Sequence, residues 1–144
     1  MKVADILKHK GNSVISVRAS ETIDTLAHRL KLERIGAMVV LGENGNFVGV
    51  VSERDIVRGI AEHGADCLEM TVADLMTQRP ITCTPDDSIA RVAAIMTENR
   101  IRHIPVMVGK RLVGVVSVGD VVKNRIEEMS LETKVLRDIA IAGH

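Results

Sequence analysis

Aromatic residues are almost absent from this chain: Phe47 stands alone, with no Trp and no Tyr. That removes the stacking platforms on which binders of single-stranded RNA and DNA depend. Any planar base would have to lie between aliphatic side chains such as Ile, Val and Met. Net charge is missing as well, because 19 Lys and Arg balance 19 Asp and Glu. No global field gathers nucleic acid or an anionic membrane, so affinity for phosphate must come from local charge. Cysteine is scarce: Cys67 and Cys83 are too few and too far apart for a zinc ribbon or a CxxC redox pair. With no signal-peptide pattern ahead of them, they read as reduced structural thiols. The apolar runs Ala37 to Leu41 and Val113 to Val116 are far shorter than the roughly 20 residues that cross a bilayer. We expect a soluble, cytoplasmic protein with neither nucleic acid nor membrane as a partner.

What the chain does have is 46% apolar residues over 144 positions, ample for a buried core, and one pattern written twice. Gly49-Val50-Val51-Ser52-Glu53-Arg54-Asp55 returns as Gly114-Val115-Val116-Ser117-Val118-Gly119-Asp120. Ahead of these, Val3-Ala4-Asp5-Ile6-Leu7 returns as Val72-Ala73-Asp74-Leu75-Met76, and Val14-Ile15-Ser16-Val17 as Pro80-Ile81-Thr82-Cys83. Such duplication decides the architecture. Ile23, Leu26, Ala27 and Leu30 predict a helix with one apolar stripe, and so do Ile89, Val92, Ala93 and Met96. Each helix is followed by a hairpin candidate, Gly36 to Leu41 with Phe47 to Val51 and Ile104 to Val108 with Leu112 to Val116. Asn44-Gly45 marks the first turn and Gly109-Lys110 the second.

The unit therefore reads strand, helix, strand, strand, helix, and two units fill most of the chain. The expected fold is α+β and sandwich-like: two tandem β-α-β-β-α repeats, 2–66 and 67–127, followed by a C-terminal helical extension, 128–144. That extension carries Met129, Leu131, Val135, Leu136 and Ile139, which suit packing on the repeats or against a second copy.

Ser52-x-x-Asp55 and Ser117-x-x-Asp120 have two readings. As capping boxes, their side chains satisfy free N–H groups of a first helical turn, and Thr71-x-x-Asp74 shares the spacing. As a ligand site, a strand running straight into a helix N-terminus offers N–H groups and a dipole to an anion. An ionised Asp three residues on suits the two adjacent hydroxyls of a ribose. The second reading suggests a nucleoside phosphate.

At this point the sequence resembles a known family. Residues 2 to 127 look like a tandem pair of CBS domains, named for cystathionine beta-synthase, which bind adenosine-containing ligands. The resemblance rests on the duplicated Gly-Val-Val-Ser-x-x-Asp, on Val72 to Met76, and on Ile101-Arg102-His103-Ile104-Pro105-Val106. It implies a pseudo-two-fold body with two clefts and pairing of two such bodies into a homodimer. Asp120 and Asp55 would accept the ribose hydroxyls with Ser117 and Ser52 beside them, and Thr82 or Ser16 would lie near the base. Arg102 and His103 would meet phosphate. The first repeat has Gly36 and Ala37 there and offers Arg54 instead, so the Asp120 site is expected to be the better defined. The candidate nucleotide-binding set is Thr82, Arg102, His103, Pro105, Ser117 and Asp120 with Ser16, Ser52, Arg54 and Asp55. Pro105 also reads as the start of a strand.

The implied ligand is AMP, ADP, ATP or an NAD(H)-type dinucleotide, sensed on behalf of a separate, unknown regulated protein. No metal is expected, since His9, His28, His63, His103 and His144 are scattered. We find no nucleophile with a base, no P-loop and no paired carboxylates, so an enzyme is not expected. The competing reading is a purely structural or protein-docking module.

Overall fold

A computed structural model describes residues 1–11 and 13–142, the last by its backbone only. The chain runs α1 (Val3–Lys10), β1 (Ser16–Arg18), α2 (Ile23–Glu33), β2 (Ala37–Leu41), β3 (Phe47–Ser52), α3 (Glu53–His63), a 3-10 turn (Gly64–Glu69), α4 (Val72–Leu75), α5 (Ile89–Asn99), β4 (His103–Val108), β5 (Arg111–Ser117) and α6 (Val118–Ala142). The two amphipathic helices start where the sequence places them. Thr22 Oγ1 accepts the Thr25 N–H at 3.2 Å, and Ser88 Oγ accepts the Arg91 N–H at 3.1 Å, each satisfying a donor left free in the first turn. Ile23, Leu26 and Leu30 are buried in one helix, and Ile89, Val92 and Met96 in the other.

Each hairpin is antiparallel. β2 pairs with β3 across a turn in which Gly45 takes φ +76°, a left-handed conformation that costs glycine nothing. β4 pairs with β5. In the first repeat β1 joins β2 in parallel, giving the order β1-β2-β3.

The second repeat departs from expectation here, because the strand predicted over Pro80 to Cys83 is reduced to one parallel bridge between Cys83 and Val106. Pro105 explains it. On this side of β4, Pro105 O accepts the Cys83 N–H at 3.0 Å and Met107 N–H donates to Cys83 O at 2.8 Å. One step earlier the donor would be Pro105 itself, which has no N–H, so pairing cannot extend toward Ile81. Pro105 is thus the third residue of β4, after His103 and Ile104, and not its start.

Packing exchanges the opening helices between repeats. Val3, Ile6 and Leu7 of α1 are buried with Cys83, Ile89, Val92, Ile104 and Val116 of the second repeat. Val72 and Leu75 of α4 are buried with Val17, Ile23, Leu26, Val40 and Val51 of the first. Backbone bonds tie the crossings: Val3 N–H to Asp87 O and Ala4 N–H to Pro85 O, both 2.9 Å, and Val72 N–H to Glu21 O, 2.8 Å. Each core is therefore completed by a segment from the other half of the chain.

The crossing also accounts for the glycine that opens each Gly-Val-Val-Ser motif. A Cβ on Gly49 would stand 2.5 Å from Thr77 O, and one on Gly114 would stand 2.6 Å from Leu7 Cδ2. Both cysteines are free and buried. Burial, with the Asp87 carboxylate nearby, pushes the Cys83 thiol up to about 12, which suits an inert core thiol.

The final helix is continuous over 25 residues from Val118, with no restart at Ser130. Val121 and Asn124 are buried against the body, while Val122, Ile126, Met129 and Leu136 are 50%, 59%, 65% and 67% exposed. Beyond its first turns the helix leaves the repeats instead of packing back on them. Gly143 and His144, within the expected extension, lie outside the described residues.

Candidate functional site

Where the two sheets approach, a cleft of about 650 Å³ opens, a size that fits a nucleotide-scale ligand. Its walls are aliphatic: Val14 and Ile15 ahead of β1, Ile35, Met38 and Val39 around β2, Val50 of β3 and Val115 of β5. Any base bound here would meet aliphatic, not aromatic, faces. Its polar lining comes from Arg102 and His103 at the start of β4, Ser117 to Gly119 at the start of α6, and Lys10 and Arg34 at the ends of α1 and α2.

Of the residues nominated from sequence, Arg102, His103, Pro105 and Ser117 line this cleft together. Asp120 adjoins it through Lys10, which does line it. Thr82, Ser16, Ser52, Arg54 and Asp55 are not among its lining residues. The strand-entry segment beside Ser117 is Ser13 to Ile15 of the first repeat, not Thr82 of the second, because α1 crosses into the second core and delivers the chain there.

Aspartate in the first helical turn does the same backbone work at four helix starts. Asp5, Asp55, Asp74 and Asp120 each accept the N–H of the residue three positions earlier, at 2.8–3.0 Å. At Ser117 the box is reciprocal, since Asp120 N–H donates to Ser117 Oγ at 3.2 Å. The capping reading is therefore correct for the geometry, and what separates these residues is their remaining partners.

Asp55 is 6% exposed. Arg58 of its own helix donates to Oδ1 at 2.8 Å, and Ser52 donates to Oδ2 through both N–H and hydroxyl. Arg54, the cation nominated for this repeat, donates to Arg100 O at 2.8 Å at the end of α5. Asp120 differs: its extra partner, Lys10 Nζ at 2.8 Å, comes from 110 positions away and also donates to Val115 O at 2.9 Å.

Charge around Asp120 and His103 is finely balanced. Burial pushes the Asp120 carboxyl up, but the Lys10 ammonium and the Ser117 N–H and hydroxyl outweigh it and hold the group below its ordinary value. Burial, reinforced by Lys10 and Arg102, lowers His103 against the opposing pull of Asp120 and Glu53. The site thus favours the neutral form of His103. The pseudo-symmetric backbone bonds Glu53 N–H to Gly36 O and Val118 N–H to Arg102 O, both 2.9 Å, tie each helix start to the residue ahead of its own repeat's central strand.

Sequence reasoning missed Lys10 and Arg34. Nothing local marks Lys10, whose partner lies in the other repeat. Arg34 did leave a signal: Arg34-Ile35 and Arg100-Ile101 recur at matching helix ends, and both arginines adopt the left-handed conformation, φ 56° and 53°, where glycine is the usual occupant. Among the described residues, no group of three His, Cys, Asp or Glu side chains is placed to hold a metal ion. No described helix is long and apolar enough to cross a membrane.

Comparison with known proteins supplies the remaining findings. A family model described as CBS domain matches residues 3–62 and 72–127. The CBS domain-containing protein CBSX3, mitochondrial, of Arabidopsis thaliana is 33% identical over 99% of this chain and 73% of its own length. A CBS-domain containing protein from Agrobacterium tumefaciens superposes with a TM-score of 0.83 at 38% identity, covering 86% of this chain and 92% of that one. A CBS domain protein from Pyrobaculum aerophilum, solved in complex with AMP, gives 0.72 at 29% identity over 83% and 89%. The CBS domain pair of protein MJ0100, solved with 5-methylthioadenosine and S-adenosyl-L-methionine, gives 0.76 at 26% identity over 89% and 98%.

Proposed function

Because this chain belongs to the CBS domain family and carries two such domains in tandem, we propose that it is a non-catalytic sensor of an adenosine-containing ligand. The ligand class is AMP, ADP, ATP or an NAD(H)-type dinucleotide, bound in the cleft between the two sheets. The observation that carries this reading is a cleft of about 650 Å³ whose lining joins aliphatic side chains to Arg102, Arg34, Lys10 and the start of α6. A flat, apolar base suits the aliphatic lining, and an anion suits the cations. The AMP bound by the Pyrobaculum protein and the adenosine derivatives bound by MJ0100 support the same ligand class.

Binding acts by shifting an equilibrium, since the cleft draws walls from both repeats and a ligand that touches both favours one arrangement of them. The output is read by a separate protein. A homodimer fits the apolar side chains that the repeats leave exposed: Val57 and Ile60 on α3 are 66% and 47% exposed, and Val122 and Ile126 on α6 are 50% and 59% exposed.

One observation favours a structural role for the first motif. Asp55 has both carboxylate oxygens engaged by Ser52 and Arg58, so the first Ser-x-x-Asp serves as a cap.

Thermal unfolding with AMP, ADP, ATP, NAD(H), S-adenosylmethionine and GTP tests the proposal. A ligand at 100 times its Kd adds about 2.7 kcal/mol, and at this chain length the midpoint rises by roughly 5–10 °C. If every adenosine compound leaves the midpoint in place, the sensor reading fails and the docking reading stands.

A further inference from the structure

We propose that Lys10 makes the cleft select a nucleoside that carries its own negative charge, by holding Asp120 until a ligand supplies an anion in exchange. The inference rests on the nucleotide reading above and adds to it a residue and a rule of selection.

The geometry is specific. Lys10 lines the cleft and Asp120 does not, so a ligand meets the ammonium before the carboxylate. An ammonium has three N–H donors. Two are spent, on Asp120 Oδ2 at 2.8 Å and Val115 O at 2.9 Å. Oδ2 also accepts the Ser117 N–H at 2.9 Å, so Oδ1 can take one hydroxyl of a ribose at once, but the second needs Oδ2, which is full while Lys10 stays.

Withdrawal of Lys10 must be a movement of its side chain, because α1 is anchored by Val3, Ile6 and Leu7 in the second core. An uncharged nucleoside that took both oxygens of Asp120 would leave the half-exposed Lys10 with Val115 O alone, in a cleft that Arg34 and Arg102 also line. The charge-assisted hydrogen bond to Asp120 is then lost with nothing in exchange. A phosphate on the same ligand removes the conflict: the ribose takes Asp120, and the released ammonium turns to the phosphate.

Three proteins, wild type, Lys10→Met and Lys10→Arg, titrated calorimetrically with adenosine and with AMP, test this. Met keeps the side-chain length and the helix propensity while removing the charge. Wild type is expected to prefer AMP. In Lys10→Met, adenosine should tighten about tenfold, since Asp120 is released, and AMP should weaken about tenfold, the scale of one hydrogen bond to a charged group. Lys10→Arg should restore the preference for AMP. If both ligands shift in the same direction, or neither shifts, Lys10 is only a tie between α1 and α6 and the inference is overturned. If wild type binds neither compound, the nucleotide reading falls and this inference with it.

Discussion

The glycine that opens each repeated motif offers a sharp test of how the two halves interlock, because its two copies face different neighbours. In Gly49→Ala, the new methyl carbon would stand 2.5 Å from Thr77 O and 3.2 Å from Met76 Sδ. Thr77 O cannot swing aside. It accepts the Val50 N–H at 3.1 Å while Thr77 N–H donates to Val50 O at 2.8 Å, so the methyl pushes apart a pair of backbone hydrogen bonds. Each is worth about 0.5–1.5 kcal/mol net, and overpacking a tight site costs about 1–3 kcal/mol. Against this stands about 0.4–1 kcal/mol from reduced freedom of the unfolded chain, available because Gly49 is not in a left-handed conformation. We expect a net loss of about 1–3 kcal/mol.

In Gly114→Ala the nearest atom is Leu7 Cδ2 at 2.6 Å, the end of a side chain that can rotate. The strain there should roughly cancel the same unfolded-state gain, leaving stability within about 0.5 kcal/mol of wild type. Urea unfolding separates the two variants through the midpoint at an unchanged slope. With no Trp in the chain, far-ultraviolet circular dichroism is the signal to follow. If Gly49→Ala matches wild type, or Gly114→Ala proves the costlier, α4 and the segment after it do not hold the first repeat as described.

Asp120, held below its ordinary value of 3.8, stabilises the fold above that pH and loses the contribution as pH falls through its lowered pKa. Lys10→Met should therefore cost stability at pH 7, and the gap from wild type should close on acidification below about pH 4, read by urea unfolding across pH. His103, lowered from 6.5 mainly by burial, resists the protonation that the unfolded chain accepts, so its contribution is present above that value and fades below it. Its imidazole resonance should titrate below 6.5 in the free protein and shift upward when AMP is added; an unmoved titration would place the phosphate elsewhere. Arg34→Gly and Arg100→Gly should each raise stability by up to about 1 kcal/mol by relieving a left-handed arginine. Only Arg34→Gly should weaken AMP binding, because Arg34 lines the cleft and Arg100 does not.

Much of this architecture was legible because local signals repeat. Two amphipathic stripes, two hairpins and two Gly-Val-Val-Ser-x-x-Asp junctions each depend on neighbours within a few positions, and each lies where the pattern placed it. The strand lost at Pro80 to Cys83 was not legible there, since its cause is a missing donor at Pro105, on another strand. The cleft was half legible. Arg102, His103, Pro105 and Ser117 meet as the motif suggested, while Lys10 joins Asp120 across 110 positions, a separation over which no periodicity speaks.

The exchange of opening helices explains why the two Ser-x-x-Asp boxes find different cations. After α1 the chain ends in Lys10 and Gly11 and re-enters the first repeat through Ser13 to Ile15, and these residues form one wall of the cleft. After α4 the corresponding connection is three residues shorter between matched positions, Leu7 to Val14 against Met76 to Pro80. Thr77, directly after Met76, is bound to Val50 by two backbone hydrogen bonds. The long connection follows a helix whose last residue, Lys10, reaches Asp120, whereas the short one is held as an added bridge on β3. Asp55 then finds its cation in its own helix, Arg58 at 2.8 Å, where release by a ligand would break an intrahelical pair without joining the two cores. The cleft at Lys10 is lined by α1, which belongs to the second core, and by β2, which belongs to the first, so a ligand bound there as proposed would bias how the cores meet, the physical requirement for a signal.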